Sequence, residues 1–217
     1  MGLPTPYYDD GKGIVLYHAD SRDILPLLAP GSVDVVLTDP PFSIPIKYAD
    51  AGSEYPRSWG DMIVMEPYFH DIMSALRRVI SPVGQVYIHC DMHSYPVFYK
   101  VSYSLWPQSQ LIVWYKPTGR RGRGWLHSHE LILHLCTTAT SYADTFRQDV
   151  VGIMPIRTLD RVHPVEKPGT LASFLFDAWP RPYALVVDPY VGSGVTMMEA
   201  RKRGWRCIGI EIEERYC

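Results

Sequence analysis

Two short motifs combine residue types that can bind a ligand or react with one. The first is Asp39-Pro40-Pro41-Phe42, which follows the apolar run at residues 33–38. The carboxylate of Asp39 and the carbonyl group of a proline-fixed turn can both accept hydrogens from an amino group, and the ring of Phe42 can stack on a planar base. Together they predict a socket for an exocyclic amine. A rigid strand end whose aspartate caps the next turn is the alternative interpretation.

The second motif occupies residues 188–194, between the apolar run 185–187 and a stretch with helical spacing. Its glycines let the backbone turn sharply and approach a ligand, and the N-terminus of the following helix offers free N–H groups. Glu211 ends the next apolar run, at the place where α/β nucleotide sites hold ribose hydroxyls. The motif therefore predicts a site for a nucleoside-bearing cofactor, with a packing turn as the alternative.

Strands must position both motifs, and the rest of the chain supplies the elements of such a sheet. Short β-rich runs alternate with stretches of helical period, which is typical of an α/β fold with a mainly parallel sheet. The predicted strands are 14–17, 33–38, 85–89, 111–115, 130–136, 184–187 and 206–212, and the predicted helices are 21–28, 66–80, 95–105, 168–179 and 193–203. Residues 119–124 are too rich in glycine and charge to predict regular structure, and residues 137–167 show no clear period.

Composition limits the classes of protein that fit. A chain of 217 residues, 47% hydrophobic, predicts one domain over residues 1–217. A net charge of −2 excludes a diffuse positive field, so any site for a polyanion must be local. The four cysteines form no Cys-x-x-Cys pair, and no window approaches the roughly 18 apolar residues of a membrane span. We therefore expect a soluble protein of a reducing compartment, without a disulfide scaffold, zinc ribbon or secretory signal.

The two motifs, in this order, resemble the S-adenosylmethionine-dependent amino-methyltransferases of DNA, specifically the permuted beta class in which the catalytic motif precedes the cofactor motif. Asp39-Pro40-Pro41-Phe42 matches the catalytic tetrapeptide, residues 188–196 match the cofactor loop, and Gly209-Ile210-Glu211 matches the ribose acid. The sequence His-Pro-Val-Glu-Lys-Pro at residues 163–168 is similar to the element before the cofactor strand. Residues 76–84 and 113–116 are similar to further family segments.

The resemblance implies a Rossmann-like methyltransferase fold, in which helices cover both faces of a mainly parallel, seven-stranded sheet with one antiparallel strand. It also implies S-adenosylmethionine as the cofactor. Asp20 is expected to reach the adenine amine of that cofactor and Lys167 its methionine carboxylate. The implied cofactor-binding residues are Asp20, Asp39, Lys167, Asp188, Tyr190, Gly192, Ser193, Gly194, Thr196 and Glu211.

The implied reaction is direct methyl transfer to the amine of a flipped base. The aspartate of the tetrapeptide favours adenine N6, with cytosine N4 as the alternative. Methylation of a base carbon would need a cysteine nucleophile after a proline, and none of the four cysteines follows one. RNA, a protein amide, and a catalytically silent nucleic-acid-binding partner subunit stay open as alternatives.

Three segments are predicted to contact DNA: residues 43–61, 117–128 and 137–162. The side chains singled out in them are Arg120, Arg121 and Arg123 for phosphates, with Tyr55 and Trp59 as exposed aromatics. The other tryptophans, among them Trp106, Trp114 and Trp125, are predicted to be mostly core.

The expected partners follow from the same resemblance. They are DNA, a second copy of the chain or an additional specificity subunit, and no membrane, in a cytoplasmic protein of prokaryotic or phage type. The segment 137–162 is brief, so we expect little discrimination among target sequences unless a second subunit supplies it. His127, His129, His134 and Cys136 are interpreted as a strand face and core residues, so no metal is expected.

Overall fold

Strands and helices alternate along the chain in the computed structural model, which describes residues 2–40, 62–121, 124–137, 147–157, 159, 166–179 and 181–217. Its strands are β1 (Tyr8–Asp9), β2 (Ile14–His18), β3 (Val33–Thr38), β4 (Ile80–Cys90), β5 (Gln108–Arg121), β6 (Leu126–Cys136), β7 (Val150–Gly152), β8 (Leu185–Asp188) and β9 (Arg206–Glu211). Its α-helices are α1 (Ser21–Ile24), α2 (Met62–Val79), α3 (Tyr95–Leu105), α4 (Gly169–Phe176) and α5 (Val195–Lys202). Short 3-10 turns at Leu25–Leu27 and Glu214–Tyr216 complete the order.

In the described part of the chain, the strands form one sheet in the order β1-β2-β9-β8-β3-β4-β6-β5-β7. The five strands from β2 to β4 pair in parallel, whereas β6 runs antiparallel to both β4 and β5. The seven strands from β2 to β5 therefore have the predicted arrangement, with β6 as the one antiparallel strand. The predicted count of seven is wrong because β1 and β7, of two and three residues, extend the two edges.

Both faces of the sheet are covered by helices, as predicted. Successive residues of β3 face opposite layers: Val36 packs into the core with α2 and α3, whereas Val35 packs into the core with α4 and α5. Both valines are essentially buried. Burial of one such side chain stabilises a fold by about 1.5–3 kcal/mol, so a strand covered on both faces is firmly anchored. The carboxyl end of β3 is consequently a rigid platform for the residue that follows.

Strands β5 and β6 form a hairpin that is longer than the predicted strands 111–115 and 130–136, because β5 extends further at both ends and β6 begins earlier. Residues 119–124 were predicted to be irregular, yet β5 continues to Arg121, which pairs with Leu126. Gly119 has a φ of 52° near the register shift between Tyr115 and Arg120. A glycine at a bulge allows an irregular residue within a paired strand. Cross-strand pairing therefore overrides the local glycine signal.

Two further expectations concern the chain as a whole. None of the helices within the described ranges is both long and apolar enough to cross a membrane. All four cysteines carry free thiols, three of them buried and Cys217 partly exposed.

Candidate active site

A cavity opens where β3 and β8 end side by side. These two strands pair in parallel, so Asp39, which follows β3, and Asp188, the last residue of β8, lie at the same edge of the sheet. Both carboxylates line the cavity. Other lining residues come from the ends of neighbouring elements: Thr38, His89, Glu166, Lys167, Tyr190, Val191, Gly192, Ser193 and Thr196. The fold thus brings the two sequence motifs together.

The glycine turn between β8 and α5 has the backbone geometry that its sequence predicts. Gly192 and Gly194 have φ values of 52° and 77°, in the left-handed region that residues with a Cβ avoid. A Cβ added at Gly194 would meet no atom of the described residues within 4 Å, so it has open space on that side of the described structure. Helix α5 begins directly afterwards at Val195. The amides of Gly192 and Gly194 donate within the protein, so it is the first turn of α5 that presents backbone N–H groups to a ligand.

Glu211 fixes this turn from the end of the adjacent strand β9. Its Oε2 accepts a hydrogen bond from the amide of Gly192 at 2.9 Å, and its Oε1 accepts from the amides of Ile212 and Glu213, each at 2.9 Å. The residue is 8% exposed. Glu211 lies beside the turn where a ribose acid is expected, and it also has a structural role that the sequence did not indicate. Its contact with a ribose stays a prediction.

Asp188 is buried below the turn and organises it. Its Oδ1 accepts a hydrogen bond from the amide of Tyr190 at 3.1 Å. Burial raises the pKa of the Asp188 carboxyl to about 7, although hydrogen bonds from Thr196 and from the Tyr190 amide oppose that rise. The carboxyl is therefore an acceptor for its own turn, poised between its neutral and ionised forms near neutral pH.

Lys167 lies against Asp39. Its Nζ donates to Oδ2 of Asp39, and the lysine side chain is only 13% exposed. Burial alone would lower the pKa of Lys167, but the charges of Asp39 and Glu130 raise it above its ordinary value. Oδ1 of Asp39 is buried and has no hydrogen-bond partner among the described residues. One oxygen of Asp39 is thus held by a cation, and the other is left for a further donor.

Glu130 and Lys116 extend this contact into a chain of alternating charges. Oε2 of Glu130, on β6, lies 3.6 Å from Nζ of Lys167, and Lys116 on β5 donates to its Oε1. Burial would raise the pKa of Glu130, but the two lysines lower it to about 2. Glu130 was not predicted as a site residue and was named only as the start of a strand. The sequence offered one signal for it, an acidic residue at the start of the apolar run 130–136.

His89, near the end of β4, also lines the cavity and was missed. It is 4% exposed, and its Nδ1 has no hydrogen-bond partner among the residues that the structure describes. Burial, with the charge of Lys167, lowers the pKa of His89 to about 4, so the ring is neutral at pH 7. A neutral imidazole beside Asp39 adds a polar group to the cavity without adding charge.

Asp20 lies at the same edge of the sheet, after β2, but not among the lining residues of the cavity as described. It caps α1 by accepting from the amide of Arg22 at 2.8 Å, and it forms an ion pair with that guanidinium at 2.6 Å. Arg22 lies over the ring of Tyr68 at 5.0 Å, and Tyr190 donates to the Tyr68 hydroxyl at 2.7 Å. A contact between Asp20 and the cofactor stays a prediction.

Of the residues predicted to contact the substrate, some lie on described strands and others lie outside the described residues. Arg120 and Arg121 belong to the end of β5, at the carboxyl edge of the sheet. Of the predicted DNA-contacting segments, 43–61 lies outside the described residues, and 117–128 and 137–162 are described in part. Five predicted side chains also lie outside the described residues: Pro41, Phe42, Tyr55, Trp59 and Arg123.

Two smaller expectations can be compared with the structure. Within the described ranges, no group of three or more His, Cys, Asp and Glu residues could hold a metal ion, and His134 stacks on Tyr87 with ring centroids 4.6 Å apart. Trp125 was predicted to be core, and this is wrong, because it is 87% exposed beside the end of the hairpin. Trp106 and Trp114 are buried, as predicted.

Comparisons with known proteins agree with this architecture. Residues 148–217 match the family model N6_N4_Mtase, described as DNA methylase. The type II methyltransferase M2.DpnII of Streptococcus pneumoniae is 23% identical over 251 residues, which cover 99% of this chain and 90% of the relative. The type II methyltransferase M.ScaI of Streptomyces caespitosus is 25% identical over 260 residues, which cover 99% of this chain and 82% of the relative.

Two solved structures share the fold. The complex of M1.HpyAVI with SAM has a TM-score of 0.69 and 18% identity, with coverage of 94% of this chain and 95% of that one. The cytosine-N4-specific PvuII DNA methyltransferase has a TM-score of 0.74 and 16% identity, with coverage of 94% and 83%. Together with the sequence matches, these similarities confirm the resemblance to the amino-methyltransferases of DNA.

Proposed function

We propose that this chain transfers a methyl group from S-adenosylmethionine to the exocyclic amine of a base in DNA. The observation that carries the proposal is the meeting of Asp39 and the glycine turn in one cavity, at the ends of the paired strands β3 and β8. A methyl donor and a methyl acceptor must lie within bonding distance for direct transfer, and one cavity lined by both motifs can hold the two together.

The residues of the cavity fit the proposed cofactor. The first turn of α5, directly after Gly194, offers backbone donors to a ligand, and Glu211 offers carboxylate oxygens at the end of β9. Lys167 supplies the cation that a carboxylate would need. When bound, S-adenosylmethionine supplies an electrophilic methyl group on a sulfonium. The structural relative M1.HpyAVI was solved with this molecule, which supports the same assignment here.

Asp39 orients the amine that receives the methyl group. An exocyclic base amine is a poor nucleophile because its lone pair is delocalised into the ring. Hydrogen bonds from its two hydrogens to Oδ1 of Asp39 and to the carbonyl of Pro40 would free that lone pair toward the methyl group. Transfer of the methyl group from the sulfonium to that nitrogen would leave a neutral thioether, and Oδ1 of Asp39, which accepts from the amine, would be placed to take the proton that the nitrogen loses. Phe42 would stack on the base, a role that stays a prediction.

Lys167 keeps Asp39 in the state that this step needs. The ammonium of Lys167 holds Oδ2, and a carboxylate can only accept hydrogen bonds. An amine with two hydrogens to donate is its natural partner. The charge chain of Lys167, Glu130 and Lys116 thus prepares an acceptor before any base enters the cavity.

Adenine N6 is the target that the aspartate of the tetrapeptide favours. Cytosine N4 is the second candidate, because one protein of the same fold is cytosine-N4-specific. The test is mass spectrometry of nucleosides from DNA incubated with the purified chain and isotopically labelled S-adenosylmethionine. Labelled N6-methyladenine is expected. Labelled N4-methylcytosine would assign the second candidate, and label on a cytosine carbon would contradict the mechanism.

The competing proposal is a catalytically silent partner subunit, which is a binding protein and not an enzyme. It would bind DNA or cofactor and transfer no methyl group to DNA or RNA in the same assay. A homodimer or an added specificity subunit is a further expectation, which light scattering of the chain with and without DNA would test.

A further inference from the structure

The hairpin of β5 and β6 projects from the edge of the sheet that carries the cavity. β6 runs antiparallel to β4 and to β5, so β5 runs in the same direction as β3 and β4. The connection that follows β5 therefore leaves from the carboxyl edge, as Asp39 does. The last cross-strand pair is Arg121 with Leu126, which places Trp125 directly beyond the paired part of the hairpin.

The pairing register shows how far the end of the hairpin extends beyond the cavity. Glu130 marks the level of the active site, because its carboxylate contacts Lys167, which contacts Asp39. Trp125 lies five residues before Glu130, toward the end of the hairpin. At about 3.4 Å per residue, this separation is about 17 Å along the strand. Trp125 is thus well outside the cavity, on the side from which a bulky substrate must approach Asp39.

The described side chains at the end of the hairpin are unusual for a solvent-facing surface. Trp125 is 87% exposed and Leu126 63% exposed, whereas most large aromatic side chains in a fold are at least partly covered. The sequence around them contains Arg120, Arg121 and Arg123. An exposed indole in a sequence segment with three arginines fits nucleic acid, since arginines attract phosphates and an indole can stack on any base.

We propose that Trp125 inserts into the base stack of duplex DNA and fills the space that the target base leaves when it turns toward Asp39. This inference rests on the proposed function. Extrusion of a base sacrifices its stacking and pairing, and an apolar side chain that enters the gap recovers part of that stacking. Such a side chain must be large, apolar, exposed and outside the cavity on the substrate side, and Trp125, which is more exposed than its neighbour Leu126, meets these conditions.

The proposal predicts that loss of Trp125 affects methylation of duplex DNA more than methylation of single-stranded DNA. In single strands the target base is already unpaired, so insertion of Trp125 gives little advantage. Trp125→Ala should therefore lower kcat/KM for methylation of genomic duplex DNA by roughly 10-fold or more, with a change within about 2-fold on the same DNA after heat denaturation. Trp125→Phe should retain most duplex activity, because its ring still stacks.

Tyr183 provides the matched control. It is 80% exposed, but it precedes β8 and so lies at the opposite edge of the sheet. Tyr183→Ala should leave the ratio of duplex to single-strand activity unchanged. An unchanged ratio in Trp125→Ala would overturn the inference even if the parent methylates DNA well. A dimer that becomes a monomer on the same substitution would assign Trp125 to a protein interface and would also overturn it.

If the parent transfers no methyl group, the proposed function fails, and a binding measurement still tests whether Trp125 enters the base stack. Stacking on bases quenches indole emission, so sheared duplex DNA should quench the parent more strongly than Trp125→Phe in the absence of cofactor. Equal quenching of the two proteins would show that Trp125 does not enter the stack.

Discussion

The ammonium group of Lys167 donates to the carboxylate of Asp39, across 128 positions of sequence. The contact joins the residue that follows β3 to the segment that precedes α4, so two distant parts of the chain meet in one cavity. It leaves Oδ1 of Asp39 buried and without a hydrogen-bond partner among the described residues. The contact therefore orients the carboxylate and leaves one oxygen for a further donor, which is what capture of an amine needs.

Replacement of Asp39 tests this arrangement directly. Asp39→Asn should lower the single-turnover rate of methyl transfer by at least about 100-fold, the scale for loss of one preorganised electrostatic contact. Cofactor affinity should change little. The asparagine still offers an oxygen to Lys167, whereas Asp39→Ala would leave that buried ammonium with Glu130 as its nearest described anion, 3.6 Å away, and would also destabilise the fold.

The control for this variant is Asp71→Asn, at an exposed position of α2. It should have the rate of the parent. An Asp39→Asn protein as active as the parent would remove Asp39 from the mechanism.

The sequence predicted those elements whose signals are local. Helix α3 has the predicted bounds, Tyr95–Leu105, because its apolar residues repeat with helical spacing and a proline stands in its first turn. Strand β3 also has the predicted bounds, since it is apolar almost throughout and is followed by two prolines. The glycine turn was predicted for the same reason: its φ values demand glycine wherever the turn stands in the fold.

The features that were missed depend on contacts between distant segments. Glu130 and His89 join the site only because β6 and β4 pair side by side, and a single sequence does not show that register. The length of the β5–β6 hairpin depends on cross-strand pairs of the same kind. The exposure of Trp125 follows from that length, because a tryptophan placed beyond the paired strands has no layer to cover it.

Glu130→Gln tests whether the charge chain stabilises the fold. It removes the anion shared by Lys116 and Lys167, so the free energy of unfolding at pH 7 should fall by about 2–4 kcal/mol. The pKa of Glu130 is lowered to about 2, so this contribution is present above pH 4.5 and is lost as the pH falls toward 2. Urea denaturation at pH 7 and pH 3 should show a smaller difference from the parent at pH 3.

Glu66→Gln is the matched control for that experiment. Glu66 pairs with Lys100 at 2.7 Å, but its side chain is 37% exposed and that of the lysine 68%. Loss of an exposed ion pair should change stability by less than about 1 kcal/mol. Equal effects of the two variants would mean that Glu130 is an ordinary surface partner.

Variants of Glu211 test the cofactor site by titration calorimetry with S-adenosylmethionine. Glu211→Ala should weaken binding by about 1–3 kcal/mol, through lost ribose hydrogen bonds and through release of the Gly192 amide that the carboxylate now holds. Glu211→Gln should weaken it less, because one amide oxygen remains as an acceptor. Glu213→Gln, whose carboxylate pairs with Arg215, should bind as the parent does. Unchanged affinity in both Glu211 variants would reject the assignment.

The arginines at positions 120, 121 and 123 of the sequence should dominate the salt dependence of DNA binding. Replacement of Arg120, Arg121 and Arg123 by alanine should flatten the slope of log affinity against log salt by up to about 3 units, since each phosphate contact contributes about 0.9. Binding should weaken for every sequence alike.

Alanines at Arg201, Lys202 and Arg206 remove the same charge from exposed positions near the end of α5 and the start of β9, away from the carboxyl edge. That control should keep the slope of the parent. Equal slopes for the two triple variants would assign Arg120, Arg121 and Arg123 to a solvated surface.

Asp188 should make the stability of the fold depend on pH near neutrality. Its pKa is raised by burial from 3.8 to about 7, so between these values the folded state binds a proton that the unfolded state has lost. The contribution of Asp188 to the free energy of unfolding must therefore fall as the pH rises from 3.8 to about 7, and it levels off above that pH. His89 and His134 act in the opposite direction, because their pKa values are lowered to about 4, and their contribution rises with pH up to about 6.5.

Comparison of Asp188→Asn with the parent cancels the contribution of those histidines, and the asparagine oxygen can still accept from the Tyr190 amide. From pH 5 to pH 8 the stability of Asp188→Asn relative to the parent should increase by roughly 2 to 3 kcal/mol, measured by urea denaturation across that range. A difference that stays constant with pH would mean that Asp188 is already ionised in the folded protein at pH 5, and that the turn at Gly192 is built around a charge instead of a neutral acid.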